Sequence, residues 1–470
     1  MASSSPSASA PAPAPAPLKG PTVPFGRPMR EAHFAFSPHY TPINHGSYGT
    51  YPVSVREAHE ALRRDVEAAP DRFIVIDWPA RLRESRAAIA GVLNCETDEV
   101  VLVPNCTTGS DTIFKNIKWE PGDVILVYEV VYEAALAGLS WIAETFGVRV
   151  EVVPLQIPLS DAEIVDAVVS AARRINEGQQ ENADGDGDGK GNGNVKERVR
   201  LAVVDTVVSM PGLRMPFETL VPALQAEGAL VLVDAAHGIG HVDIDLAALK
   251  PDFLVTSLNK WFFVPRGVSA LYVPKRHQGL VRTSLPTSVR FREHAGEEGE
   301  DEGAFVKLFD FVASHDMTNF LAVKAALSFR ADICGGEDAI REYCRSVARQ
   351  GGEVAASILG TEVMDAPASR MRECFFANVR LPLVITTDND GNETEVREGK
   401  IPIRDAGKVV QWFKETGVRE SGMYFQTGPY RGALWWRLSG MVYVDVEDFR
   451  RAAEVLKGLC ERAGRGEYLR

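Results

Sequence analysis

Between residues 100 and 273 the apolar positions cluster in short runs, at 100–103, 123–129, 148–153, 201–205, 229–233 and 253–256. The run at 229–233 shows none of the apolar–polar alternation of a strand with one wet face, which predicts a strand covered on both sides. Segments of helical character separate the runs. Strands alternating with helices imply a mostly parallel α/β sheet with ligands at the C-terminal ends of the strands. Ahead of this region, residues 53–93 read as helix broken at Pro70 and Pro79. From about Cys334 onward, helices and short strands predict a smaller α+β C-terminal domain.

Two stretches lie outside this pattern. Residues 1–24 are a near-repeat of Ser, Ala and Pro, too poor in large apolar side chains to fold, and predict an extended disordered tail. Residues 178–194, GQQENADGDGDGKGNGN, read as a flexible low-complexity insertion. Asp184, Asp186 and Asp188 imitate the start of a calcium loop, but the twelfth position is Val195 instead of a bidentate glutamate, so no calcium site is expected. The acidic segment 293–302 reads as a solvated excursion.

Composition narrows the partners. Among 470 residues, 45% are hydrophobic and 24% charged, as in an ordinary globular protein with room for two domains. A net charge of −13 without a basic stripe argues against nucleic acid or an anionic membrane surface. No apolar run reaches the roughly 18–20 residues of a membrane span. Cys95, Cys106, Cys334, Cys344, Cys374 and Cys460 lack CxxC spacing, which predicts free thiols in a reducing compartment and no metal site. With no basic start or apolar leader, the expected location is the cytoplasm.

The candidate chemistry gathers in residues 231–273. The first of these strands ends at Asp234, and the run at 253–256 leads into Ser257-Leu258-Asn259-Lys260. An acid and a lysine at neighbouring strand ends suit a pyridoxal 5′-phosphate pocket. The lysine would bind the cofactor covalently, the aspartate would hold the ring nitrogen protonated, and Ser257 and Asn259 would bind phosphate. The same residues suit a buried acid and a solvated surface lysine equally well. Elsewhere, Thr107 and Thr108 fall at a predicted helix N-terminus, where they serve either an anion or ordinary capping. Asn44-His45-Gly46-Ser47-Tyr48-Gly49 reads as a polar turn.

Together DAAH (234–237), SLNK (257–260), PRG (265–267) and LYV (271–273) resemble the class V aminotransferase family of fold-type I pyridoxal phosphate enzymes, from about residue 34 to about 450. Within it the chain looks most like the fungal hercynylcysteine sulfoxide lyases of ergothioneine biosynthesis. The resemblance implies residues 31–52 as an arm contributing to the active site, after a disordered tail over 1–30. It further implies 53–315 as the large cofactor-binding domain, and 316–470 as a linking helix and small domain. By family position, Thr107 and Thr108 hold the cofactor phosphate, and Tyr132 stacks on the ring and is the candidate proton donor. Desulfurases place an asparagine near the ring hydroxyl where this chain has Met210, so His237 becomes the candidate for that contact. Thr318, in HDMT, would reach the phosphate of a neighbouring subunit, which implies a homodimer with shared sites. The family commonly has Arg-Asp where this chain has His315-Asp316, leaving the partner of Asp316 unassigned. Asn44 or His45 would touch substrate, and Arg437 would clamp its α-carboxylate, although an arginine among aromatics also suits a structural role.

The implied activity is β-elimination from hercynylcysteine sulfoxide, with Lys260 as the base. Epimerisation, transamination and a non-catalytic scaffold are the alternatives. A desulfurase would need a mobile cysteine, and residues 417–424 contain none. Trp78, Phe73 and Tyr48 are the aromatics available for a quaternary ammonium on the distal half of the substrate.

Overall fold

The computed structural model describes residues 20–178, 196–288, 290–291, 303–386 and 399–470. The predicted insertion at 178–194, apart from Gly178, and the whole acidic segment at 293–302 lie outside these residues, as does the tail up to residue 19.

Seven strands form the central sheet: β1 (Val100–Val103), β2 (Asp123–Tyr128), β3 (Arg149–Val153), β4 (Arg198–Asp205), β5 (Leu230–Ala235), β6 (Phe253–Ser257) and β7 (Ser269–Tyr272). Their spatial order is β1-β7-β6-β5-β4-β2-β3. Neighbours from β6 to β3 run parallel, and β7 alone is antiparallel to both β6 and β1. Successive side chains of a strand point to opposite faces, and here both faces are apolar. Val101, Val103, Ile125, Val127 and Val203 pack into one cluster, while Leu102, Val124, Leu126, Ala202 and Val204 pack into the other. The sheet is therefore sandwiched between helical layers, as unbroken apolar runs require.

Parallel pairing brings the C-terminal strand ends to one edge. Asp205 pairs in register with Asp234, and Asp234 with Val255, so two carboxyl groups meet where β6 delivers its polar tail. Helix α1 (Val53–Ala68) and helix α2 (Trp78–Leu93) precede the sheet, with Pro70 opening the helical turn and π-helical segment between them and Pro79 in the first turn of α2, where proline costs no hydrogen bond.

The smaller sheet is β8 (Phe376–Thr386), β9 (Lys400–Pro402), β10 (Thr427–Tyr430) and β11 (Ala433–Ser439), in the order β9-β8-β11-β10. Helices α3 (Glu337–Leu359) and α4 (Val446–Gly464) accompany it, and Arg437 sits within β11. No helix among the described residues is long and apolar enough to cross a membrane.

One boundary needs correction. Residues 20–30, expected as part of the tail, are ordered, with a helix at Arg27–His33. Met29 is fully buried, and Arg30 donates to the carboxylate of Asp448 in α4 at 2.8 Å. Both anchors lie far away in sequence, so a local window sees only a short polar segment.

Candidate active site

Beyond β6 the chain makes a single helical turn, Leu258–Trp261, which carries Lys260 into a cavity of about 200 Å³. Thr107, Tyr132, Asp234, Ser257 and Asn259 line the same cavity. The turn is fastened through its backbone. His45 Nε2 bonds the carbonyl of Lys260, and Arg330 donates to that of Trp261 at 2.6 Å. Enclosure lowers the Lys260 pKa, with Arg437 acting in the same direction and the acids Asp234 and Asp205 opposing it.

Asp234, 6% exposed, accepts the Ala236 amide at 2.9 Å, its one hydrogen-bond donor among the described residues. Its remaining lone pairs suit a protonated ring nitrogen. Burial pushes the Asp205 carboxyl far above the usual range, and the neighbouring Asp234 charge adds to this. Burial raises the Asp234 carboxyl as well, opposed by the Ala236 amide and the Lys260 charge, so of two buried carboxyls that repel each other's ionisation Asp205 holds its proton more tightly. Tyr128 braces Asp205, its hydroxyl donating to Oδ2 at 2.7 Å and accepting the Asp205 amide at 2.6 Å.

His237 lies with Nε2 at 3.1 Å from Lys260 Nζ, while its Nδ1 accepts the indole N–H of Trp261 at 3.0 Å. Tyr132 caps the helix Glu133–Phe146 and is 49% exposed at the cavity wall. At the opposite end, the helix Cys106–Asn116 points its N-terminus inward. Its cap is Asn105, which accepts both the amide and the hydroxyl of Thr108, at 2.8 and 3.1 Å. Thr108 is therefore committed to capping and does not line the cavity; Thr107 does. The first-turn amides precede the first intrahelical bond, made by Gly109, and suit an anion. The open Asp234 acceptor, a poised lysine and an anion-seeking helix end therefore fit pyridoxal phosphate, and Ser257, Asn259 and Thr107 are the cavity residues that would hold its phosphate.

Sequence reading missed Cys106 and Ser110 in this wall. The Cys106 thiol lies 3.3 Å from Ser257 Oγ and is pushed up to about 11 by burial, so it is a neutral thiol. Its place directly before Thr107 was the available signal.

Arg437 enters from β11 and is 1% exposed. Its Nη1 donates to the Ser209 carbonyl at 2.6 Å, and its Nη2 donates to Asn44 Oδ1 at 3.1 Å and Ser47 Oγ at 2.8 Å. The guanidinium covers the Phe376 ring at 4.4 Å. Among the described residues it has no carboxylate partner, and its Nε is buried with no acceptor. Burial lowers its pKa to about 10. Gly212 makes room for it, because a Cβ there would stand 2.7 Å from Arg437 Cδ.

Other expected residues take different places. His45 is not a free substrate contact: both ring nitrogens are engaged, with Lys260 O and the Tyr443 hydroxyl, and burial lowers its pKa to about 3. Thr318 lines a separate cavity of about 1000 Å³ with Arg63, Phe73 and Trp78. There it contacts Asp316 and His59, and Asp316 finds its partner in Arg63 at 3.3 Å. Phe73 and Trp78 are buried by that second cavity, whereas Tyr48 is 60% exposed beside Asn259, whose side-chain amide donates to its carbonyl at 3.2 Å.

The chain is similar to several known proteins. Residues 188–363 match the family described as aminotransferase class-V. The chain is 35% identical over 456 residues to the L-cysteine desulfhydrase-like protein lolT1 of Epichloe uncinata, covering 93% of this chain and 96% of the relative. It is 26% identical to the hercynylcysteine sulfoxide lyase of Schizosaccharomyces pombe, covering 93% and 98%. A solved structure of the cystine C–S lyase C-DES superposes with a TM-score of 0.66 at 18% identity, covering 89% of this chain and 97% of that one. The chain belongs to the class-V aminotransferase family of fold-type I pyridoxal phosphate enzymes.

Proposed function

We propose that this chain is a carbon–sulfur lyase that expels the β-sulfur group of a cysteine-derived amino acid, with hercynylcysteine sulfoxide as its substrate. One observation carries the reading: a buried guanidinium, Arg437, lies near enough to Lys260 to lower its pKa and has no carboxylate partner among the described residues. An α-carboxylate is the natural counterion for Arg437, and the substrate amine then falls toward Lys260. When bound, pyridoxal phosphate supplies an electron sink that acidifies the substrate Cα–H. Lys260, its pKa lowered, takes that proton. The Cβ–S bond breaks with its electron pair leaving on sulfur, as a sulfenate, and Tyr132 gives the proton that neutralises it. The remaining three-carbon fragment hydrolyses to pyruvate and ammonia, and reduction of the sulfenic acid by a thiol gives ergothioneine.

A sulfur-carrying cysteine has no place in this scheme. The segment Gly417–Ser421 is a π-helical turn without cysteine, and burial pushes the Cys374 thiol up to about 11. The S. pombe relative supports the sulfoxide. The name of the Epichloe relative favours a second reading, L-cysteine desulfhydration, by the same residues. Incubating purified protein with each compound separates them. Pyruvate released in step with loss of the sulfoxide, and a mass consistent with ergothioneine, is the expected result. Pyruvate and sulfide from L-cysteine alone would move the assignment to the second reading. Tyr132→Phe should lose roughly 10²–10⁴-fold in turnover without unfolding, as removal of a general acid does. The family position of Thr318 would make the protein a homodimer with shared sites, which light scattering of the active protein tests.

A further inference from the structure

The residue after the cofactor lysine is Trp261, fully buried and held on several sides. Its ring packs at 4.4 Å from His241 and 5.2 Å from Phe376, and its carbonyl is fixed by Arg330. The indole cannot swing away, and an indole N–H only donates. Its 3.0 Å contact to His237 therefore makes Nδ1 of that ring the acceptor. His237 is 2% exposed, and burial, with the Arg437 charge acting in the same direction, lowers its pKa well below that of a free histidine, so the ring is neutral. A neutral imidazole accepting at Nδ1 carries its proton on Nε2. That N–H lies 3.1 Å from Lys260 Nζ, and a nitrogen can accept it only with a free lone pair.

We propose that Trp261 is a positioning residue that locks His237 as the Nε2–H tautomer, so that His237 donates to Lys260 and holds its amine neutral and nucleophilic. The opposite arrangement, an ammonium donating to Nε2, would require the proton on Nδ1, where the indole already points its own. The groups facing Lys260 from other elements divide. The Asp234 carboxylate pulls toward the ammonium, while Arg437 opposes it. His237 is the one neighbour that acts through a direct hydrogen bond to Nζ among the described residues. The same N–H is the kind of donor that a ring oxygen of the cofactor needs, so the lock serves the empty and the loaded site alike.

The inference rests on Lys260 as the cofactor lysine and is independent of which substrate is cleaved. The test follows Lys260 in full-length protein stripped of cofactor, by competitive acetylation with acetic anhydride across pH and mass spectrometry of the Lys260 peptide. Trp261→Phe keeps the aromatic packing and removes only the N–H. Near neutral pH its Lys260 should label more slowly, on the order of tenfold, the change that one pKa unit makes in the neutral fraction. His237→Phe should shift the profile in the same direction, and the double variant should shift no further than either alone. A Trp261→Phe profile superimposed on the parent overturns the proposal, as does a double-variant shift equal to the sum of the singles. If Trp261→Phe does not fold, His237→Phe decides: an unshifted profile overturns it. Borohydride fixation of the cofactor on another lysine in the holoenzyme would show instead that the premise about Lys260 had failed.

Discussion

Two arginines flank the lysine turn, each about 1% exposed, and they are built in opposite ways. Arg330, behind the turn, meets Glu337 through two hydrogen bonds of 2.5 and 2.6 Å, bonds the Trp261 carbonyl, and lies over the rings of Phe262 and Phe263. Glu337 offsets its burial and holds its pKa above that of a free arginine. Arg437, in front of the turn, has neutral acceptors only, and burial lowers its pKa. A buried charge needs a counterion. Arg330, whose counterion the fold supplies, is a brace; for Arg437 we propose that a ligand carboxylate completes the pair.

This contrast can be broken by substitution. Arg437→Ala should bind pyridoxal phosphate and melt near the parent temperature, yet lose about 10²–10³-fold in kcat/KM, mostly through KM. Arg437→Lys should recover little, because an ammonium cannot form the bidentate pair. A folded Arg437→Ala protein of normal KM would falsify the clamp. Arg330→Ala should behave in reverse. It strands Glu337 and should cost about 3–5 kcal/mol of stability by denaturant titration. Loss of activity with stability unchanged would make Arg330 a second ligand group.

A smaller effect concerns the fastening of the turn on its other side. His45 is neutral in the fold, with a pKa of about 3 against 6.5 for a free histidine. The unfolded chain takes up a proton there first, so this stability is complete above about pH 6.5 and drains away toward pH 3. His45→Gln, which can keep both hydrogen bonds, should lessen the acid sensitivity between pH 6.5 and 5 by up to about 1.4 kcal/mol per pH unit. Equal slopes in parent and variant would show that His45 is protonated in the fold. The least change is expected at Cys106, a neutral thiol in the cavity wall. Cys106→Ala should keep turnover within about tenfold, well short of the loss of a general acid or base. Abolished turnover with the fold intact would reinstate a cysteine in the chemistry.

Residues whose task follows from their place on one element were readable. Asp234 and Lys260 end adjacent parallel strands, and a strand end faces a site whatever the surroundings. The start of α4 at Val446 and the strands of the central sheet were legible from local pattern. Thr108 misled because an anion site and an N-cap use the same residue types, and Asn105 decides between them. His45 misled because its partners, Lys260 and Tyr443, are 215 and 398 positions away. Helix Arg27–His33 was missed for the same reason.

By itself the sequence determined the mostly parallel sheet and the acid and lysine near its strand ends, because these depend on short-range apolar patterning and residue chemistry. The tertiary structure alone decided how those groups are charged. Which carboxyl of Asp205 and Asp234 keeps a proton, which nitrogen of His237 carries one, and which buried arginine lacks an anion follow from neighbours brought together across the chain. Charge in a buried site is a property of its surroundings, and only the folded chain has surroundings.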